Sequence, residues 1–525
     1  MSRAIKAIPI FISLWLIAGN CVAQSHLFSS PIRVPEILEP GTNQYQVAAI
    51  SIAREQLLKH TAIYLATLPF IKEENVRQDD MLAVAAAFCT ISLRFTDPLS
   101  SNRPSAVAVA QIDAGSSDFK NRINSLLLDR PLLDKYRTNL AQRSRVLREL
   151  ARCADMNLQE GLGKIVQRLE AVEEEFKALL LWGEVKKGKT DKLLSFLNRA
   201  VQLDPGYPGV RITRGDLFNQ IGLYDRAVED FSEAIRLDPR DVRAFINRGI
   251  AYRRLGEFAA AIADYDAAIE LDPEDGRAYN NRGNVYNKIG DLTKAIADYT
   301  MAIRLNPEDA RAYHNRAMAY ADSERHREAI LDFTRAIRID PEYARAYLNR
   351  GITFGKLGQY ERAVADLSRS IAIEPHHALA FYSRAVAQYH LGAYKKAIAD
   401  YTEAIRLNPV YADAYINRGG TYGTLGRYKL AIQDLNNAIR LSPNDSRAYL
   451  NRALAYDQLG KYEKAVADYS TAIDLAPNDA LAYINRGIVY MRLGKKALAC
   501  ADSKRACELG ECKNLKLAQQ RGWCR

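Results

Sequence analysis

Three side-chain types recur along this chain at a fixed interval, and each is a candidate for chemistry. The first is a carboxamide: Asn247, Asn281, Asn315, Asn349, Asn417, Asn451 and Asn485. An amide side chain offers donors and an acceptor, so a line of them suits the successive peptide units of a ligand. The same line suits bonds between neighbouring helices that hold a stack together. The second is a guanidinium at the next position: Arg214, Arg248, Arg282, Arg316, Arg350, Arg384, Arg418, Arg452 and Arg486. The third is a carboxylate: Asp230, Asp264, Asp298, Asp332, Asp366, Asp400, Asp434, Asp468 and Asp502. Equal numbers of opposite charge suggest an Arg–Asp pair within or between units, because an Arg facing a ligand would give Asp no reason to keep step. Exposed pairs contribute about 0–1 kcal/mol each, which suggests a role in register more than in stability. None of these sets is a nucleophile with its base, and no spacing of His or Cys suits a metal.

The ladders are held in step by a repeat. Pro205, Pro239, Pro273, Pro307, Pro341, Pro375, Pro409, Pro443 and Pro477 fall 34 residues apart. That period is the length of one helix–turn–helix unit. Small residues recur where two helices must approach closely, as at Gly249, Gly283 and Ala317 in the first helix and Ala261, Ala295 and Ala329 in the second. Aromatics such as Tyr286 and Tyr299 fill the space between. The proline ends each second helix, since it lacks an N–H and clashes with a continuing helix. A glycine in the turn, as in Leu255-Gly256, permits the reversal between helices. Each unit leaves an apolar face uncovered, so neighbours must stack.

These residues resemble the tetratricopeptide repeat. A clean copy begins at Gly276 and reads GRAYNNRGNVYNKIGDLTKAIADYTMAIRLNPED; the resemblance spans residues 174–513 as ten units. The first unit, 174–207, keeps only its second half and suits a cap. The resemblance implies a mostly α fold, a right-handed α-solenoid of helix pairs whose first helices line a concave groove. It places the Asn ladder on that face, where such arrays bind extended peptides through their main chain. Arg277, Arg311 and Arg345 start consecutive first helices, and Asn284 clusters with Asn280, Asn281 and Asn287. The middle of the groove is therefore basic and amide-rich, which suits an acidic or C-terminal carboxylate segment. Asn284, Asn315 and Arg345 match in kind three positions of the carboxylate clamp of some family members, while Asn280 and Asn349 stand where that clamp has Lys or Arg. One repeat, Ala378 to Tyr411, departs from the rest: Ser383 replaces the Asn, Gln388 replaces an aromatic, and Tyr382, Tyr389, His377 and His390 lie nearby.

The remaining segments set the compartment. Arg3 and Lys6 precede an apolar stretch from Ala7 to Ala18, and Asn20-Cys21-Val22-Ala23 follows. This pattern predicts a signal peptide, residues 1–23, cleaved after Ala23, and hence an exported, periplasmic chain. A lipid anchor at Cys21 is the less favoured alternative, because Asn20 stands where a small residue is expected. No other stretch is long and apolar enough to span a membrane. Residues 24–44 read as an extended lead-in and 45–115 as a small α+β domain. In that domain, helices are expected over Val47–Leu68 and Asp79–Ala87, and strands over Cys89–Phe95 and Ser105–Ile112. Residues 116–173 read as a charged helical connector with breaks at Pro131 and Gly161-Leu162-Gly163. The disulfide candidates are Cys89, Cys153, Cys500, Cys507, Cys512 and Cys524, as an oxidising compartment allows. The last three would staple residues 514–525 as a C-terminal cap, whereas Cys500 and Cys507 lie too far apart along one helix to pair.

These features favour a non-enzymatic interaction scaffold of the cell envelope with a protein or peptide partner, and no cofactor or metal. The net charge of +11 is interspersed rather than blocked, and export argues against nucleic acid. The 45–115 segment holds a single His, His60, and no motif of a nucleophile or phosphate loop. The alternative is a component of polysaccharide secretion or glycosylation that uses the array to recognise a partner or a glycan.

Overall fold

The structure, a computed structural model, describes residues 25–32, 43–66, 71, 76–88, 90–95, 106–113, 119–155, 162–182, 185, 188–520 and 524. The predicted signal segment and Cys89 lie outside them, as does the side chain of Cys153. Contacts divide the chain into two units, one ending at Glu274 and the other beginning at Asp275.

The first unit opens with β1 (Ser25–Ile32), α1 (Asn43–Leu65), α2 (Gln78–Phe88), β2 (Thr90–Phe95) and β3 (Ala106–Asp113). The strands form one antiparallel sheet in the order β1-β3-β2. The return from β2 to β3 follows the predicted alternation, with Arg94 opposite Val107. Within residues 24–44, read as an extended lead-in, β1 is an extended strand paired with β3. Its Pro31 sits opposite Val107 on an edge strand, one of the few places a sheet tolerates proline. Then come α3 (Phe119–Leu128), α4 (Arg130–Asp155), α5 (Leu162–Leu181) and α6 (Thr190–Leu203). Pro131 lies in the first turn of α4, as its missing N–H permits, and Asp129 caps that turn by accepting from the Leu132 N–H at 3.1 Å. α5 runs across the boundary drawn at 173. One core joins Leu58, Val84, Ile123, Leu133 and Phe176, so α1 and α2 bury their apolar faces against α3, α4 and α5.

A buried polar knot ties α1 and α4 to α5. Glu173 accepts from Ser51 Oγ at 2.8 Å and Arg143 Nε at 2.9 Å, and pairs with Arg54. Burial alone would raise the Glu173 carboxyl, but Arg143 and Arg54 outweigh it and hold it below its usual range. Glu175 accepts from Asn139, Tyr207 and Thr213, which carries the network into the Pro208 repeat. From Pro208 the unit continues as the helix pairs 208–237 and 242–271.

The second unit is a run of helix pairs, each repeat named here by its first residue: Gly276, Ala310, Ala344, Ala378, Ala412, Ser446 and Ala480. These are the stacked pairs of an α-solenoid. Aspartates cap several first helices; Asp309, for example, accepts from the Arg311 N–H at 2.9 Å. The glycine that follows the ladder arginine is a packing device: a Cβ at Gly283 would lie 2.8 Å from the Tyr299 ring of its own repeat. The turn between helices uses a left-handed residue, such as Gly290 at φ 86°. In the Ala310 repeat Glu324 takes that conformation at φ 60°, the one non-glycine to do so among the described residues. A last helix, Lys513–Gln520, follows the Ala480 repeat. Cys500 lies at disulfide distance from Cys524, with Cα atoms 5.3 Å apart, and Cys507 at disulfide distance from Cys512.

Candidate functional site

The Arg and Asp ladders meet inside each repeat. Arg316 Nε donates to Asp332 Oδ2 at 2.7 Å and Nη2 to Oδ1 at 2.9 Å, a two-pronged fork. The same fork recurs from Arg214–Asp230 to Arg486–Asp502. A third prong reaches backwards: Arg316 Nη1 donates to Thr300 Oγ1 at 3.0 Å, and Arg350 Nη1 to Thr334 Oγ1 at 2.9 Å, each in the second helix of the preceding repeat. One guanidinium thus clasps three helices. The sequence suggested weak exposed pairs, but the aspartates are buried (Asp332 is 5% exposed), because the fork points inward between the helices. Stacking is therefore served by this ladder, and the others can be judged separately.

The Asn ladder divides in two. Asn315 Nδ2 donates to Asn280 Oδ1 at 3.1 Å, Asn349 Nδ2 to His314 Nε2 at 3.0 Å, and Asn417 Nδ2 to Tyr382 OH at 2.9 Å. In each case the acceptor sits in the preceding first helix, one position before that repeat's own ladder position. Asn247 instead donates to Asp216 at 2.7 Å, and Asp216 also pairs with Lys135 of α4. In the first unit, then, the connector helix stands against the face where a ligand was expected. Asn281, Asn451 and Asn485 make no side-chain hydrogen bond among the described residues. The reason is local for two of them: Ile416 and Leu450 stand where an acceptor would be needed. Asn284 belongs to neither set, since its Oδ1 accepts from Tyr299 OH at 2.9 Å.

The basic residues divide as well. Arg277 folds onto the capping Asp275, with contacts from 2.6 Å. Arg311 and Arg345 are exposed, and their guanidinium groups meet no acceptor among the described residues. The open groups of this region are therefore Arg311, Arg345 and Asn281.

Sequence reasoning missed His314. It is buried between Asn315 and Asn349, with Phe333 and Tyr343 rings 5.6 and 5.1 Å away. Its Nε2 accepts from Asn349, so its proton sits on Nδ1, which faces Asn315 Oδ1 at 3.5 Å. Burial lowers its pKa to about 4; the Asn315 contact opposes this and the nearby Arg345 adds to it. The signal was available, since His314 and Asn280 are polar where most repeats carry Ile or Leu. No cluster of three or more His, Cys, Asp or Glu suited to a metal occurs among the described residues. None of the described helices is long and apolar enough to cross a membrane.

Signatures of the tetratricopeptide repeat match residues 212–276, 246–310, 310–343 and 348–412, and a signature described as a TPR repeat matches 422–460 and 455–494. Together they cover about half of the chain. No curated protein matches it. Among solved structures, YrrB, a TPR protein with an unusual peptide-binding site, is 25% identical over 36% of this chain and 96% of its own, at a TM-score of 0.32. PilW, a widely conserved type IV pilus biogenesis factor, is 24% identical over 39% of this chain and 96% of its own, at 0.37. A tetratricopeptide repeat protein from Parabacteroides merdae is 20% identical over 47% of this chain and 98% of its own, at 0.38.

Proposed function

The chain belongs to the tetratricopeptide-repeat family, a scaffold for protein–protein interaction, and from that premise we propose that its second unit binds an extended acidic peptide segment without catalysing a reaction. One observation carries this reading. The Arg–Asp forks hold the stack, while Arg311 and Arg345 have no internal partner. Two unpaired cations on consecutive first helices, with the open carboxamide of Asn281 on the helix before them, suit carboxylates and peptide units together. The first unit is the less suited end, because Asp216, itself paired with Lys135, already occupies Asn247. The N-terminal pattern around Arg3 and Lys6, together with cysteines at disulfide distance, supports work in the cell envelope after export. The N-terminal sheet and helices act on this reading as a fixed cap for the array.

Fluorescence anisotropy on the full chain tests it with two labelled ten-residue peptides, one of Asp and Gly and one of Lys and Gly. The acidic peptide should bind and weaken with added salt. The Arg311→Ala/Arg345→Ala variant should bind it about tenfold less tightly, since each lost charge pair is worth on the order of 0.5–1 kcal/mol. Equal binding of both peptides, or an unchanged affinity in the variant, would sink the proposal.

A further inference from the structure

We infer that the Ala378, Ala412 and Ser446 repeats form a pocket for one uncharged aromatic side chain, tyrosine or tryptophan, of the bound segment. The inference rests on the peptide-binding reading above and adds an anchor to it. A cavity of about 700 Å³ opens among the first helices Ala378–His390, Ala412–Thr424 and Ser446–Gln458. Tyr389 and His390 line it from one helix, Gly420 and Gly423 from the next, and Asn451 and Leu454 from the third. Its size falls in the usual range for a small-ligand site.

The room is made by two glycines that the fold does not need. Glycine inside a helix is destabilising relative to alanine. At Gly419 the reason is packing, since a Cβ there would lie 2.9 Å from Leu435 Cγ. A Cβ at Gly423 would meet nothing within 4 Å, and one at Gly420 only Asn451 Nδ2, at 3.8 Å. At the position of Gly420 the flanking repeats carry Val386 and Leu454, and no other repeat has glycine there. The gap therefore belongs to this repeat and not to the architecture.

The lining selects the occupant. It contains no Asp, Glu, Lys or Arg, so a charged side chain would lose its water with no counter-charge. It does contain one open polar group. The Asn451 carboxamide makes no side-chain hydrogen bond among the described residues, whereas the Tyr389 and Thr424 hydroxyls bond each other at 3.4 Å and Thr424 Oγ1 donates to the Gly420 carbonyl at 3.2 Å. An aliphatic side chain would bury the Asn451 carboxamide without a partner. A neutral sugar would leave several of its own hydroxyls against Val386, Ile416, Leu454 and Ala455. A ring with one polar edge meets both demands: its face lies on the bare helix at Gly420 and beside Tyr389, and its O–H or N–H reaches Asn451. Asn417 is no substitute donor, because its Nδ2 is committed to Tyr382 OH at 2.9 Å.

Saturation-transfer NMR on the full chain tests this with five small probes: N-acetyl-tyrosinamide, N-acetyl-tryptophanamide, N-acetyl-leucinamide, N-acetyl-aspartate amide and cellobiose. The two aromatic amides should receive saturation and the other three should not. Gly420→Leu copies the residue at Leu454 and should abolish the aromatic signal while leaving the thermal melt unchanged or higher. Gly423→Met, which copies Met491, should do the same and serves if the first variant folds poorly. No transfer to the aromatic amides, or transfer that survives both variants, overturns the inference. Transfer to cellobiose that Gly420→Leu removes overturns it in favour of a glycan. The acidic-peptide measurement stays independent: if only the aromatic probes fail, the anchor is wrong and the scaffold reading stands.

Discussion

Removing one carboxylate from an Arg–Asp clasp should loosen two repeats at once. In the Ala310 repeat, Asp332 receives both prongs of Arg316 at 2.7 and 2.9 Å, and Arg316 reaches Thr300 in the repeat before. Asp332→Ala removes both acceptors and leaves a guanidinium with one neutral partner. Breaking a buried pair from one side costs about 3–5 kcal/mol. The Arg316 side chain is 16% exposed and retains some access to water, so the expected cost is about 2–3 kcal/mol. Thr300→Ala removes the Arg316 contact together with the exposed Thr300 Oγ1 bond to the Ile296 carbonyl, and should cost about 1 kcal/mol. The double change Arg316→Met/Asp332→Leu replaces both charges with apolar groups and should recover most of the loss, since the desolvation of both ions disappears with them. Repeats couple through their neighbours, so the readout is local opening by hydrogen exchange in the helices Ala310–Asp322 and His326–Ile339. A cost of 2–3 kcal/mol corresponds to roughly 30- to 160-fold faster exchange. Acceleration by less than about fivefold would refute the reasoning, because the pair would then be no stronger than an exposed one.

Three further outcomes follow from the same geometry. Glu324→Gly should stabilise the turn between helices Ala310–Asp322 and His326–Ile339 by about 1 kcal/mol, as a left-handed φ of 60° strains any residue with a Cβ; slower exchange at the start of the second helix checks it. His314 should titrate near pH 4 by NMR. Its folded pKa lies below the unfolded value of about 6.5, so the unfolded chain takes up the proton first as pH falls. Its full contribution is present above about pH 6.5 and is lost between there and about pH 4, by about 2–3 kcal/mol; His314→Gln should flatten that part of the stability profile. Cys524→Ser should fray the C-terminal helix, because Cys500 and Cys524 lie at disulfide distance and a bridge between them, closing 24 residues, would contribute about 3 kcal/mol in chain entropy; protease sensitivity after residue 508 should rise in the variant and in reduced wild type alike.

Much of the second unit was legible because its cues are local. The Pro period, the Gly turns and the small residues act within one helix pair, and each reappears where the spacing put it. The pairing of Arg with Asp was legible from their equal numbers, but not its burial, because charge counts carry no depth. The division of the Asn ladder was hidden for a different reason. Whether Asn349 binds its neighbour depends on His314 in another repeat, a residue the pattern of shared positions discards as noise. At the N-terminus the sequence suggested separate segments at 45–115 and 116–173. Helical faces rich in Ala and Leu do not say what will cover them, and here Leu58, Leu133 and Phe176 share one core.

The amino-acid sequence by itself thus determined a stack of 34-residue helix pairs, because helix length, turn chemistry and close approach are all encoded within each copy. Only the tertiary structure decided which polar side chains are spent on holding that stack and which remain open. A hydrogen bond belongs to two residues in different helices, so Arg311, Arg345 and Asn451 could be recognised as open only after the partners of every other ladder member had been placed.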